Sequence, residues 1–124
     1  MRKELLEKNQ IVKMTFEFAL EIIDYCEALE SKRKFVMANQ LLKSGTSIGA
    51  NVWEAQNAES RNDFIHKFKI AAKETDETTF WIQLCNHSKD YPKNSLLSEK
   101  LDGISKVINR IIASSKTRNE SKTI

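Results

Sequence analysis

The chain has 124 residues, 30% of them charged, with one proline and three glycines, and it carries two tryptophans and six phenylalanines as apolar bulk. That length supports one domain able to bury about two thirds of its unfolded surface, and so little proline and glycine excludes a turn-rich sheet protein or a disordered chain in favour of long helices. A net charge of +3 permits nucleic acid as a partner without demanding it, and it falls short of a dedicated nucleic-acid arm.

Residues 1–8 are charged and are expected to fray or to extend the first helix. From Gln10 to about Glu30 two apolar seams run side by side: Ile11, Phe18, Ile22, Tyr25 and Leu29 on one, Val12, Phe16, Ala19, Ile23 and Cys26 on the other. A stripe that broad touches more than one neighbour, as in a bundle core or a subunit interface. Glu17, Glu21, Asp24 and Glu27 fall mainly on the opposite side and read as a solvated face. Ser31-Lys32-Arg33-Lys34 has the length of a connection between antiparallel helices. Its serine can close one helix or cap the next, and its cations are either a solvated turn or a phosphate contact.

The second helix, expected over residues 34–58, contains QLLKSGTSIGANVWEAQN. Gly45 and Gly49, four apart, cost a helix interior about 1 kcal/mol each relative to alanine, so a neighbouring helix must approach closely there. With Asn51 they form the helix-packing set, and Ser44 and Asn51 need hydrogen-bond partners if buried. The competing reading breaks the helix at Ser44-Gly45-Thr46-Ser47 into a phosphate-cradling turn, although such a loop wants more glycine and a lysine. Trp53 lies about 140° around the helix from Ile48, at the edge of the core or outside it. It is therefore an intersubunit anchor or a boundary core residue.

Ser60, followed at the third helical position by Asp63, is a capping-box variant that starts a third helix over residues 61–87. Its core seam reads Phe64, Phe68, Ala71, Thr75, Thr78, Ile82 and Cys85. Lys69 and Lys73 share a face and, with Lys43, form the candidate basic patch, with Arg61 at the helix start. Glu74 and Glu77 lie on the side of Trp81 and Leu84, which makes Trp81 a second candidate for a subunit or partner contact. Pro92 ends any helical continuation. Leu97, Leu101, Ile104, Ile108 and Ile111 then repeat at four-three spacing in a fourth helix over residues 94–114, where Gly103 demands compensating packing. Residues 116–124, with Lys116 and Arg118, lose the periodicity and read as a disordered basic tail.

The run LLKSGTSIGANVWEAQNAESRNDFIHKFKIAAKETDETTFWI, preceded by FEFALEII, resembles the small bacterial "four helix bundle protein" family, whose members include proteins encoded by intervening sequences within 23S ribosomal RNA genes. The resemblance spans about residues 10–115. It implies an antiparallel up-down-up-down bundle assembled into a ring-like homopentamer, and it brings no catalytic residues with it. A more distant similarity is to the accessory protein of diversity-generating retroelements, a basic pentameric bundle that binds nucleic acid and the reverse transcriptase. Family members commonly carry a carboxylate or another polar residue where this chain has Trp53, which puts local surface contacts in question and leaves the fold alone.

Charge is segregated along the chain. Residues 4–30 hold seven acids and two bases, whereas residues 31–73 hold eight bases and three acids. No apolar run approaches a membrane span, and Arg2, Lys3, Glu4 and Glu7 interrupt any leader-like stretch. Cys26 and Cys85, on apolar faces, read as reduced thiols of a cytoplasmic protein. Asp63-x-x-His66 supplies one half of a di-metal motif at best, and Cys85-x-His87 lacks a second ligand pair, so neither metal nor cofactor is expected. The expectation is a non-enzymatic homo-oligomer that contacts structured RNA or DNA through phosphates, with Lys43, Arg61, Lys69, Lys73, Lys116 and Arg118 as contact residues. No aromatic stacking platform stands out. The alternative is a protein-interaction scaffold that docks a partner through Trp53.

Overall fold

Four helices occur in the computed structural model, which describes residues 7–123, with side chains to Arg118. They are α1 (Gln10–Ser31), α2 (Phe35–Ala55), α3 (Arg61–His87) and α4 (Ser95–Thr123), and no strand occurs among the described residues. The expectation for residues 1–8 lies largely outside them. Short connections force each helix back along its predecessor, and the cross-helix contacts show the antiparallel sense. On α1 and α2, Cys26 meets Ala38, Ile22 meets Gly45 and Thr15 meets Gly49, rising on one helix as they fall on the other. Thr78 with Ser44, Lys67 with Glu54 and Asn86 with Ser98 do the same for the later pairs. α4 closes the square against α1, and neither diagonal pair approaches within 8 Å between Cα atoms. This is an up-down-up-down bundle around one core.

Local chemistry explains the helix ends. Asn9 caps α1 by accepting from the Val12 N–H at 3.3 Å, and its side-chain amide donates to Gln56 Oε1 at 3.1 Å, tying that cap to the end of α2. α1 stops in a Schellman arrangement, with Lys34 N donating to Leu29 O and Arg33 N to Glu30 O, both at 2.8 Å. Arg33 occupies the left-handed position, φ 64°, that glycine usually takes. Ser31 does not cap α2; its hydroxyl donates back to Ala28 O at 2.7 Å. Ser60 caps α3 by accepting from Asp63 N at 3.0 Å, while Asp63 Oδ2 accepts from Glu59 N at 3.2 Å. Asn94 does the same for α4 by accepting from Leu97 N.

The helix α2 is continuous through Ser44-Gly45-Thr46-Ser47, so the phosphate-turn alternative is excluded. Thr46 and Ser47 donate to Leu42 O and Lys43 O of the preceding turn, both at 2.6 Å. Ser44, fully buried, accepts from the Thr78 hydroxyl at 2.9 Å, and Asn51 donates to Ser47 O at 2.9 Å, so both polar groups have the partners burial demands. α2 ends three residues early, because Gln56, Asn57 and Ala58 bond to carbonyls three residues back and tighten the chain out of the α-helix.

Two other expectations need correction. Beyond Ser115 the expectation is a disordered tail, and the backbone is instead helical: α4 continues to Thr123, with Ser115 buried and residues 116–118 exposed, because no proline or glycine interrupts it. Gly103 meets nothing within 4 Å; it lines a hollow of about 280 Å³ between α1 and α4, bridged by the Glu21–Lys100 ion pair, and no close packing compensates it.

Candidate nucleic-acid interface

The structure separates the candidate cations into two groups. Lys43, Lys69 and Lys73 are exposed on α2 and α3, but the surface between them is not uniformly basic. Burial, then the neighbouring Glu77 charge, push the Glu74 carboxyl above its ordinary value, while Lys43 pulls it down. Glu74 thus sits in the field of Lys43 and interrupts the patch. Lys67, on the same flank, is engaged with Glu54 at 2.9 Å.

The second group lies where α3 begins and α4 runs past it. Arg61, the first residue of α3, and Arg110 and Arg118 on α4 line one cleft of about 340 Å³ together with Phe64, Ile111, Ser114 and Ser115. Arg110 and Arg118 lie eight residues apart, so two helical turns place them along one flank. The Ser60 cap fixes Arg61 at the rim. None of the three guanidiniums is in an ion pair among the described residues, so their positive field opens to solvent. Lys116 is exposed and does not line this cleft; two residues from Arg118, it projects about 200° away around the helix.

Arg110 and Phe64 were not legible as site residues. Arg110 follows Lys106 by one helical turn but stands apart from the other candidate cations in sequence, and Phe64 fits the periodicity of the α3 core. In the structure Phe64 does pack against the core, but it is only half-buried and its remaining surface lines the cleft. Phe64 packs on the fully buried Phe68 with centroids 4.8 Å apart, and it lines both the arginine cleft and a second cleft of about 330 Å³ over the α2–α3 connection. Arg61 is shared by the same two clefts.

The tryptophans occupy two separate surfaces. Trp53 stands 6.4 Å, centroid to centroid, from Phe16 over an apolar groove of about 420 Å³ floored by Thr15, Ala19, Gly49 and Ala50 between α1 and α2. Phe16 and Ile23, on the stripe expected to face a bundle core or a subunit interface, are each 39% exposed, and Leu20 is 50% exposed. The broad α1 stripe overruns the contact that α2 makes with it. Trp81, half-buried on α3, meets Phe80 edge-on at 5.3 Å. Phe80 is 57% exposed, Leu84 is exposed beside it, and the buried Trp81 indole N–H has no acceptor among the described residues.

Two cysteines, Tyr25, His87 and Asp63 are engaged within the fold. Cys26 and Cys85 are free and buried. Burial first, then the Glu30 charge, push the Cys26 thiol up to about 11, and burial raises Cys85, so both stay protonated near neutrality. Burial likewise raises the Tyr25 hydroxyl, which donates to Pro92 O at 2.6 Å. His87 Nδ1 is 2.9 Å from Gln83 O, and Asp63 is spent on the α3 cap. Among the described residues no three His, Cys, Asp or Glu side chains converge as a metal site, and no helix is long and apolar enough to cross a membrane.

Comparison with known proteins adds a family. No curated protein matches the chain. Among solved structures, a crystal structure of a protein with unknown function from the S23 ribosomal protein family of Bacteroides thetaiotaomicron VPI-5482 superposes with a TM-score of 0.78 at 38% identity, over 82% of this chain and 97% of that one. The family model described as 23S rRNA-intervening sequence protein matches residues 7–110. The chain belongs to the 23S rRNA-intervening sequence protein family.

Proposed function

We propose that this protein is a non-enzymatic, cytoplasmic, self-associating helical bundle that binds structured RNA or DNA by neutralising phosphates. The observation that carries this reading is the convergence of Arg61, Arg110 and Arg118 on one cleft with no carboxylate paired to any of them among the described residues. Arginine presents planar, bidentate donors to phosphate oxygens, and three of them focus a positive field that an anion relieves. Membership of a family whose name ties it to 23S rRNA genes supports the same direction. Lys43, Lys69 and Lys73 extend the contact as secondary sites.

Self-association, in a ring of five as the family resemblance implies, is supported by the two apolar surfaces around Trp53 and Phe80. They lie on different helices, so joining one to the other across copies is a heterologous contact, the kind that closes into rings. The Phe16–Trp53 groove also favours a second reading, in which the bundle docks a partner protein there and touches no nucleic acid.

The test is fluorescence anisotropy with a labelled structured RNA and a matched duplex DNA at two salt concentrations. Phosphate contact predicts binding that weakens by about tenfold or more between 50 and 200 mM salt. Absence of binding at low salt refutes it and leaves the docking reading, in which Trp53→Glu releases a partner protein.

A further inference from the structure

Deepening the nucleic-acid reading, on which it rests, we propose that the arginine cleft takes a single-stranded nucleotide, with the phosphate on Arg61, Arg110 and Arg118 and the base against Phe64. A duplex phosphate needs only an exposed cation. Here the cations surround a concave site of about 340 Å³ that also contains an aromatic ring, the apolar Ile111 and the serines Ser114 and Ser115. That volume is within the range of small-molecule sites and suits one nucleotide unit rather than the side of a helix. Phe64 packs at a 42° tilt on the buried Phe68, centroids 4.8 Å apart, which restrains the ring at the cleft, where a base can stack on it.

The site also has a direction. Arg61 and Phe64 line both this cleft and the neighbouring one of about 330 Å³ over Ala55, Gln56, Ala58 and Ser60. A single strand laid along this end of the bundle passes from one hollow to the next over Phe64, its backbone held at Arg61. A paired duplex keeps its bases inside the stack and cannot offer one to Phe64 without unpairing. A loop, bulge or free end can. The structured RNA is therefore gripped at an unpaired nucleotide, with modest choice among bases, since every base has a face to stack.

The experiment compares a fluorescein-labelled single-stranded 12-mer of deoxyadenosine with an abasic 12-mer of the same charge, by anisotropy, on the full chain. The unmodified protein should bind the base-bearing strand about tenfold more tightly, a stacking contribution of the usual size for one aromatic. Phe64→Leu should remove that preference, Phe64→Tyr should restore it, and Arg110→Ala and Arg118→Ala should weaken both probes and each lower the salt slope by about 0.7. Equal affinity for the two strands overturns the proposal without needing any variant. So does binding that ignores the arginines and falls only with Lys43, Lys69 and Lys73, although nucleic-acid binding itself then stands. No binding of either strand or of the structured RNA at low salt overturns both.

Discussion

Gly45 on α2 lies so close to Ile22 on α1 that a Cβ built on the glycine would stand 2.9 Å from both Ile22 Cγ1 and Cγ2. Ile22 is fully buried and, being β-branched, stiff at those atoms, so it cannot swing aside. Gly103 on α4 is the opposite case, with open space where its Cβ would be. Alanine gains about 1 kcal/mol of helix propensity at either site. At position 45 overpacking of typically 1–3 kcal/mol opposes it. Gly45→Ala should therefore lower stability by about 1 kcal/mol, and Gly103→Ala should raise it by up to about 1 kcal/mol. Guanidinium unfolding at constant m-value measures both, and a stabilised Gly45→Ala would mean that α1 and α2 are free to move apart.

A second gain in stability is available at the end of α1. Arg33 completes the Schellman bonds in a left-handed conformation, φ 64°, which costs a side-chain-bearing residue roughly 1–2 kcal/mol. Arg33→Gly removes that cost and returns part of it as extra unfolded-chain entropy. A net gain of about 0.5–1 kcal/mol is expected, seen as a rise of a few degrees in melting temperature. A loss would show that the Arg33 side chain contributes more than its backbone conformation costs.

The Glu74 carboxyl is raised in the folded chain by burial and by Glu77. A carboxyl raised on folding binds its proton more tightly in the native state, so ionising it costs stability as pH climbs from the ordinary value near 4.5 through the folded one. The cost is complete above that window and absent below 4.5. Glu74→Gln should therefore stabilise the protein slightly at neutral pH, by no more than a few tenths of a kcal/mol once solvent screening and the lost Lys43 attraction are counted, and match it at pH 4. Parallel unfolding curves at the two pH values test this. An advantage that persists unchanged at pH 4 would assign the effect to packing instead.

The helices were readable because one periodicity, one capping serine and one proline each had a single physical meaning. Gly45 and Gly49 stand where α1 comes close to α2, and Ser60 caps the first turn of α3. The candidate site was far less legible. Lys69 and Lys73 are neighbours in sequence and so were easy to group, whereas Arg61, Arg110 and Arg118 meet only because α3 and α4 pack antiparallel. Phe64 obeys the core period and packs against the core, yet it stays half-buried at the mouth of two clefts, and Phe16 and Ile23 obey the period yet remain exposed. A helical period says which residues share a stripe; the width of the partner helix decides how much of that stripe is covered.

That uncovered surface gives the last prediction. Trp53 with Phe16 marks a groove between α1 and α2, while Phe80 with Trp81 marks the outside of α3. If copies join groove to α3, each molecule has one of each half of the contact. Light scattering should show the unmodified protein as an assembly, and Trp53→Glu or Phe80→Glu alone should fall to smaller species with helicity intact, because a buried unpaired carboxylate costs several kcal/mol. Mixing the two variants is decisive. Trp53→Glu keeps a sound α3 surface and Phe80→Glu keeps a sound groove, so one good contact forms between them and the mixture should stop at a heterodimer. Two-fold contacts would instead give no new species on mixing: a groove-to-groove contact leaves Phe80→Glu a homodimer and Trp53→Glu a monomer, and an α3-to-α3 contact the reverse.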